Sequence, residues 1–495
     1  MKPLQPVRAL AIPTAPRRAA PGRAPNRPTH RRLSAATALL AVLAVSSSCS
    51  GRRPNLLEVY PGAAAIEHRP VIIIPGIFGS RLRNSVTGEV VWGRLSNLLT
   101  SRFKLALTPA RADRSDLLDL PIESPDPTAN RDNLEAYDIF DGVAGREFYK
   151  RIISTLTQVA GFRYGDINHP QPGEDCFAFY YDWRRDVAEN AQLLSKAIER
   201  VRAAHQIEGG SLQKVDLIAH SLGGLVARYY VRYGAQDVLG GRPGPPTYAG
   251  AADVDTVVLI GVPSEGSLDS LESHNDGVHI VRFLPPEAIF TMPAAYASLP
   301  RLRVGPFIDT EGRRLDIDIY RAENWELYGW SVFSKERLEV LRERIASEFG
   351  KERVEAIYQE RLSKMRAFLA TVLLRAARLN EALDRGGGPP DPVHYFAFGG
   401  DCTPTPARAM IIQGTEVPYT TVTRVKNLPR KLDTPEIQRL MSEPGDGSVT
   451  RASLLATNGG GIRPDASLFL CETHRNLTEN ITFQDNLLQY LLYRH

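Results

Sequence analysis

The sequence predicts an α/β protein built on a mostly parallel sheet with one large insertion. Three observations carry this. Short apolar runs that read as buried strands alternate with helical patterns along most of the chain. One of those runs enters a tight turn centred on Ser221 and leaves it directly as a helix. The alternation then stops, for a long stretch rich in Leu, Arg, Glu and Ala, and resumes near the C-terminal end.

The folded part is expected to begin near Leu56. Val71-Ile72-Ile73-Ile74 is four consecutive apolar residues stopped by Pro75-Gly76, the pattern of a strand buried on both faces that meets a turn. Phe177 to Tyr180, Val215 to Ala219 and Thr256 to Gly261 repeat it, with helical spacing over 188–205 and over Leu222 to Tyr233. Residues 83–140 read as irregular, being rich in Pro, Asp and Asn with an occasional large residue such as Trp92. Ser334 to Asp384 reads as two or more helices. Tyr395 to Gly399 and Ala466 to Leu470 return to strand, and Glu479 to Leu492 reads as a closing helix. The organisation expected is a leader over 1–53, a first core part over 54–263 carrying the 83–140 excursion, a lid or cap insertion over 264–392, and a second core part over 393–495.

Of the 495 residues, 43% are hydrophobic and 23% charged, as in ordinary water-soluble enzymes. No internal apolar run reaches the ~18 residues of a membrane-spanning helix. The first 53 residues hold ten Lys or Arg and no acid. They lead into an apolar stretch from Ser34 to Val45 and the small residues Ser46-Ser47-Ser48-Cys49. A basic start, a short apolar core and small residues are the pattern of an export leader. The protein is therefore expected outside the cytoplasm, either periplasmic, envelope-anchored or secreted. The residues ahead of Cys49 resemble a lipoprotein cleavage site, with Ser46 where Leu is usual. Cleavage there would leave 52 basic against 56 acidic residues, a net −4 in place of the formal +4. The positive balance belongs to the leader and gives no reason to expect nucleic acid as a partner. Four cysteines without C-x-x-C spacing argue against a zinc site, and no metal or cofactor is expected. Cys402 and Cys471 each follow a strand at the same edge of the sheet, so a bond between them is feasible in an oxidising compartment.

The chemistry is read from Val215-Asp216-Leu217-Ile218-Ala219-His220-Ser221-Leu222-Gly223-Gly224. Strand, sharp turn and helix with Ser at the apex and small residues around it form the nucleophile elbow of an α/β-hydrolase, here with Ala219 in the first Gly position. A Ser hydroxyl needs a base, and in this fold the order along the chain is Ser, acid, His. His474 sits on a loop just past the strand ending at Leu470. Of the other histidines after Ser221, the chain-terminal His495 is too frayed to serve. Asp446, within Pro444-Gly445-Asp446-Gly447-Ser448-Val449, is the acid expected to orient the imidazole, with Asp401 as runner-up. The oxyanion of a tetrahedral intermediate needs two backbone N–H donors. Leu222, after the nucleophile, supplies one. Ile77, in Pro75-Gly76-Ile77-Phe78-Gly79-Ser80, supplies the other.

With these residues placed, the chain resembles the lecithin:cholesterol acyltransferase family, which includes related phospholipases and phospholipid:diacylglycerol acyltransferases. Pro70 to Leu82 is similar to its oxyanion segment and Tyr181-Asp182-Trp183-Arg184 to its Y-D-W-R motif. Gly261 to Ser267 is similar to the segment after its next strand, with departures at Ile260, Val262 and Ser264. Met292-Pro293 to Leu299-Pro300 resembles the opening of its lid, and Asp446 to Val449 its acid loop. The resemblance implies an α/β-hydrolase with a lid matching 264–392, its helical part 334–384 over the carboxyl ends of the strands. It also implies a membrane-contacting segment near 83–140. Trp183, Asp182 and Arg184 are expected to be structural. The expected function is lipid acyl-ester hydrolysis or O-acyl transfer, with lipid and a membrane surface as partners; the sequence leaves the oligomeric state open. The alternatives are a carboxylesterase on smaller esters and a non-catalytic envelope binding protein.

Overall fold

The computed structural model describes residues 54–93, 116–140, 149–207, 214–280, 282–386, 393–415, 417–459 and 461–493. The leader over 1–53, with Cys49, lies outside them, as does His495. Seven strands make the central sheet: β1 (Val71–Ile74), β2 (Tyr164–Gly165), β3 (Cys176–Ala178), β4 (Val215–His220), β5 (Val254–Ile260), β6 (His394–Gly400) and β7 (Ala466–Leu470). Their spatial order is β7-β6-β5-β4-β1-β3-β2, and every neighbouring pair is parallel.

Alternation within each strand sends side chains to two cores. Ile72 and Ile74, with Leu217, Ala219, Val257 and Leu259, pack against helices Val187–Ile207 and Leu222–Tyr233. Val71 and Ile73, with Ile218, Val258, Ile260, Phe396 and Phe398, face helices Lys150–Gln158 and Ile481–Leu492. Coverage of both faces explains why the strands read as unbroken apolar runs. Residues 55–495 form one compact unit.

Residues 83–140 are not irregular throughout. Ser80–Asn84, Val90–Trp92 and Leu134–Ile139 form a three-stranded antiparallel sheet. Val90–Trp92 is too short to show a pattern, and the other two strands mix charges with apolar residues; the charges pair across the sheet, as Arg83 does with Glu135 at 2.8 Å. Trp92 is buried, 5.6 Å from the ring of Trp183, with its indole N–H donating to the Phe78 carbonyl at 3.1 Å. It is a core residue and not available to a membrane.

The insertion between β5 and β6 contains helices Lys335–Phe349 and Val354–Asp384. The longer one buries Leu379, Ala382 and Leu383 in the same core as helix Leu222–Tyr233, and Arg375 pairs with buried Asp186 at 3.0 Å. Most of its buried residues, with Ile345 of the shorter helix, pack instead behind residues 268–299, in a core shared with Leu268, Leu271, Phe290 and Tyr296.

Candidate active site

The Ser221 turn is built by close approach. Ser221 has φ 52° and ψ −124°, a conformation side chains rarely adopt, and its N–H is held by the Ile260 carbonyl at 2.8 Å. A Cβ on Gly223 would meet the Pro75 carbonyl at 2.5 Å, and one on Gly224 would overlap the Val262 side chain. A Cβ on Gly76 would sit 2.9 Å from Ser221 Cβ. Larger residues at any of the three would push the helix off β1 or β5. The elbow therefore fixes the Ser221 hydroxyl at the carboxyl end of the sheet.

The segment Pro75 to Ser80, expected to carry an oxyanion donor, leaves β1 at the same end. Phe78 also has positive φ, 67°, so this turn is strained too. The Tyr181 hydroxyl donates to the Pro75 carbonyl at 2.6 Å and the Trp183 indole to the Ser80 carbonyl at 3.0 Å, clamping the segment from outside. Arg184, fully buried, pairs with Asp132 and Asp182, each at 2.7 Å. The Tyr181 to Arg184 motif is thus scaffold, and it supports the segment that carries Ile77.

Asp446 arrives by a detour. After β6 the chain forms an antiparallel pair, Thr403–Pro406 with Ser442–Gly445, and Asp446 follows the second of these strands. Gly400 leaves room for it, since a Cβ there would lie 2.8 Å from Asp446 Cβ. Asp446 Oδ1 accepts from the N–H groups of Ser448 (2.9 Å) and Val449 (2.7 Å). Its Oδ2 lies 2.8 Å from His474 Nδ1. The His474 N–H also donates to the Asp446 carbonyl at 2.9 Å. A carboxylate only accepts, so Nδ1 carries the proton and Nε2 offers a lone pair, 3.1 Å from Ser221 Oγ. Gly261, at φ 54°, makes space for the pair; a Cβ would lie 2.9 Å from the His474 ring and 3.1 Å from Asp446 Oδ2.

Asp401 points elsewhere, 3.6 Å from Arg451. His274 is enclosed by Tyr296 and Trp325 and bonds the Ser270 carbonyl, while His394 faces Asp465 at 3.0 Å. Neither approaches Ser221 by any bond among the described residues.

Electrostatics follow from burial and pairing. Burial by itself would lower the His474 pKa, but the charge and hydrogen bond of Asp446 outweigh it and raise the imidazole above an ordinary histidine. Burial would raise Asp446, and the same pairing with two backbone N–H groups pulls it below an ordinary carboxylate.

The side chains of Ser221 and His474 line a cavity with one apolar wall, from Ile77, Phe78, Phe140, Val278, Ile280 and Ile289. Ser267, Ser270, Ser273, Ser298 and Asp269 add polar lining. Burial pushes the Asp269 carboxyl up to about 6, against the pull of Arg424. The roof comes from residues 263–298, and none of 334–384 lines the cavity. Tyr149 also lines it, and no sequence pattern pointed to that residue. His220 could have been singled out as the neighbour of the nucleophile.

Cys402 and Cys471 are joined as a disulfide with Cα atoms 5.0 Å apart, one residue or two beyond the paired ends of β6 and β7. The bond ties the start of the His474 loop to β6. Cys176 is a buried free thiol. The denatured, unreduced chain lacking Cys49 should therefore titrate one thiol with Ellman's reagent; a count of three would show that the bond does not form.

Residues 134–296 match the family model described as lecithin:cholesterol acyltransferase. The fold is that of an α/β-hydrolase, and this segment is similar to the lecithin:cholesterol acyltransferase family. The matched segment holds Ser221 and Leu222; Ile77 precedes it, and Asp446 and His474 follow it. Among solved structures, the Tle4–Tli4 complex includes a chain of similar fold, with TM-score 0.52 and 16% identity over 86% of this chain and 98% of that one. The mature lipase BlEst2 of Bacillus licheniformis gives TM-score 0.30 and 10% identity, over 86% of this chain and 92% of that one. No curated protein matches the sequence.

Proposed function

We propose that this protein is a serine-dependent lipid acyl-ester hydrolase or O-acyltransferase. Ser221 is the nucleophile, His474 the general base, Asp446 its orienting acid, and the N–H groups of Ile77 and Leu222 the oxyanion donors. The observation that carries the reading is the unbroken line from Asp446 Oδ2 through His474 to Ser221 Oγ, at 2.8 and 3.1 Å, on a strained elbow. His474 takes the Ser221 proton as Oγ attacks the ester carbonyl. The tetrahedral intermediate places its oxygen at the Ile77 and Leu222 N–H groups, and His474 then protonates the leaving alcohol. Water or a second alcohol attacks the acyl-enzyme by the reverse steps. The apolar wall of the cavity fits an acyl chain, which favours long-chain lipid over a small ester and a membrane surface as its source. The family match supports acyl-ester chemistry. An intact nucleophile, base and acid argue against a purely binding role.

We also infer export, either soluble or lipidated at Cys49. The Cys402–Cys471 bond supports an oxidising compartment. The experiment that tests the function is mass spectrometry of products from long-chain phospholipid vesicles, with and without an acceptor alcohol. Fatty acid alone identifies a hydrolase, a new ester an acyltransferase, and no acyl product from any lipid class would defeat the reading.

The pH profile offers a second check. His474 works as a base only when neutral, and Asp446 favours its charged form. Activity should therefore be absent at low pH and rise through a pKa above the ordinary histidine value of 6.5. Removing the Asp446 charge should move that limb of kcat/KM to lower pH. A limb that stays in place in Asp446→Asn would separate Asp446 from the base.

A further inference from the structure

The oxyanion segment and the His474 loop come from opposite parts of the chain, yet both must be held against Ser221. Two side chains outside the proposed Ser221, Asp446 and His474 set connect them. The Gly76 N–H donates to the Tyr149 hydroxyl at 2.9 Å. That hydroxyl lies 2.9 Å from His220 Nδ1, and His220 Nε2 lies 3.4 Å from the carbonyl oxygen of His474. A carbonyl only accepts, so Nε2 carries the ring proton. Burial, reinforced by the neighbouring His474, pushes the His220 pKa down to about 3, and the ring is neutral. Its Nδ1 is then a bare acceptor, and the Tyr149 hydroxyl must donate to it. Burial pushes the Tyr149 pKa well up, so the phenol keeps the proton it donates. Every group in the line has one assignment: Gly76 N–H to Tyr149, Tyr149 to His220, His220 to the His474 carbonyl.

The placement of this line matters. Gly76 N–H is one peptide before the Ile77 N–H, in a segment whose next residue, Phe78, has φ 67°. A strained turn keeps its geometry only when its surroundings over-determine it. Gly76 is pressed close to His220: a Cβ on it would lie 3.3 Å from His220 Nδ1. At the far end, the carbonyl that receives His220 belongs to the residue whose imidazole faces Ser221. His220 itself directly precedes the nucleophile, so the strand carrying Ser221 also carries the middle of the line.

We propose that Tyr149 and His220 are positioning residues, a hydrogen-bonded strut that sets the oxyanion segment and the His474 loop in register across the elbow. Their polar atoms are all engaged with one another and with backbone, so they act through Ile77 and His474. The proposal rests on the Ser221 reading given above. Its consequence is a loss of turnover that exceeds any loss of substrate binding, because the polar atoms of both side chains, though they line the cavity, are spent on each other and on backbone.

The test uses the full chain and a fluorophosphonate probe, which phosphonylates an activated serine and develops charge where an ester would. Labelling rate, kcat and KM on p-nitrophenyl butyrate and Tm are measured for Tyr149→Phe, His220→Asn, His220→Leu and the double variant Tyr149→Phe/His220→Leu. Tyr149→Phe should label about 10- to 100-fold more slowly, with kcat falling alike and KM within about twofold. His220→Asn, whose amide oxygen can stand where Nδ1 stood but which does not reach the His474 carbonyl, keeps half the line and should fall between the parent and His220→Leu, while His220→Leu falls with Tyr149→Phe. Because both variants break one line, the double variant should be no slower than the slower single one. Tyr149→Phe at the parental rate, His220→Asn at the parental rate, or losses that multiply would each overturn the strut. If His220→Leu fails to fold, Tyr149→Phe and His220→Asn still decide. A parent protein that is not labelled at all would overturn the Ser221 reading itself. A labelled parent with an unaffected Tyr149→Phe overturns the strut alone.

Discussion

Ser221→Ala should lower kcat by about 10⁴-fold or more on any ester the protein cleaves, with Tm within about 2 °C of the parent. In the proposed mechanism this hydroxyl forms the acyl bond, and the Ser267, Ser270 and Ser273 hydroxyls in the cavity donate instead to backbone carbonyls. The Ser453 hydroxyl is buried and held to the Gly266 carbonyl at 2.7 Å, away from His474. The structural role of the Ser221 side chain is small. Among the described residues its one polar contact is the 3.1 Å approach to His474 Nε2, at a cavity wall. Ala keeps the Cβ, so the strain of φ 52° is unchanged and the elbow holds its shape. Ser221→Gly removes that Cβ. It should be equally inactive but more stable by about 1 kcal/mol, the relieved strain exceeding the added chain entropy. Turnover by Ser221→Ala within about tenfold of the parent would place the nucleophile elsewhere.

Different parts of the molecule were legible in the sequence to different degrees, for physical reasons. β1 shows as an unbroken apolar run, and β4 and β5 as apolar runs after a polar start, because both faces of the sheet are covered. The elbow shows because it demands small residues at fixed spacing, and the Gly76, Gly223 and Gly224 contacts are the demand itself. Asp446 and His474 could be found from chain order and from loops that follow strands. The antiparallel sheet around Ser80–Asn84 could not. Its strands are half exposed, and their stabilising pairs, such as Arg83 with Glu135, join residues distant along the chain. The expected lid, 264–392, includes the segment that roofs the cavity, but its periodic part does not reach the site. Residues 334–384 announce themselves by long helical periodicity, yet none of them lines the cavity. The roof over Ser221 is made from short elements, such as Leu268–Asp276 and Pro286–Phe290, too brief for a period to register. Tyr149 carried no signal, because its importance lies in a single hydroxyl between two distant loops.

His474→Ala should cost as much as Ser221→Ala, since nucleophile and base act as one unit and losing either disables both. Asp446→Asn should cost less, about 10²- to 10⁴-fold in kcat, and the geometry says why it should still be large. Asp446 Oδ1 is fixed by the N–H groups of Ser448 and Val449, which require an acceptor. In the Asp446→Asn variant the amide oxygen must therefore take the Oδ1 position, leaving the NH₂ group where Oδ2 now faces His474 Nδ1. An N–H donor there forces Nδ1 to accept. The ring proton moves to Nε2 and points at Ser221 Oγ, so the imidazole can no longer take the hydroxyl proton. Asp446→Ala leaves the ring without a partner but free to choose its tautomer. It should be no worse than Asp446→Asn, although it is smaller and less like the native residue. Asp401→Asn provides the contrast. Its carboxylate faces Arg451 at 3.6 Å and is one-third exposed, so kcat should remain within about twofold of the parent. The measurement is kcat and KM for the four variants on one soluble ester, with Tm to confirm folding. An Asp401→Asn loss exceeding that of Asp446→Asn would move the acid to the end of β6. An Asp446→Ala loss far beyond Asp446→Asn would show that the carboxylate holds the loop and does not set the tautomer.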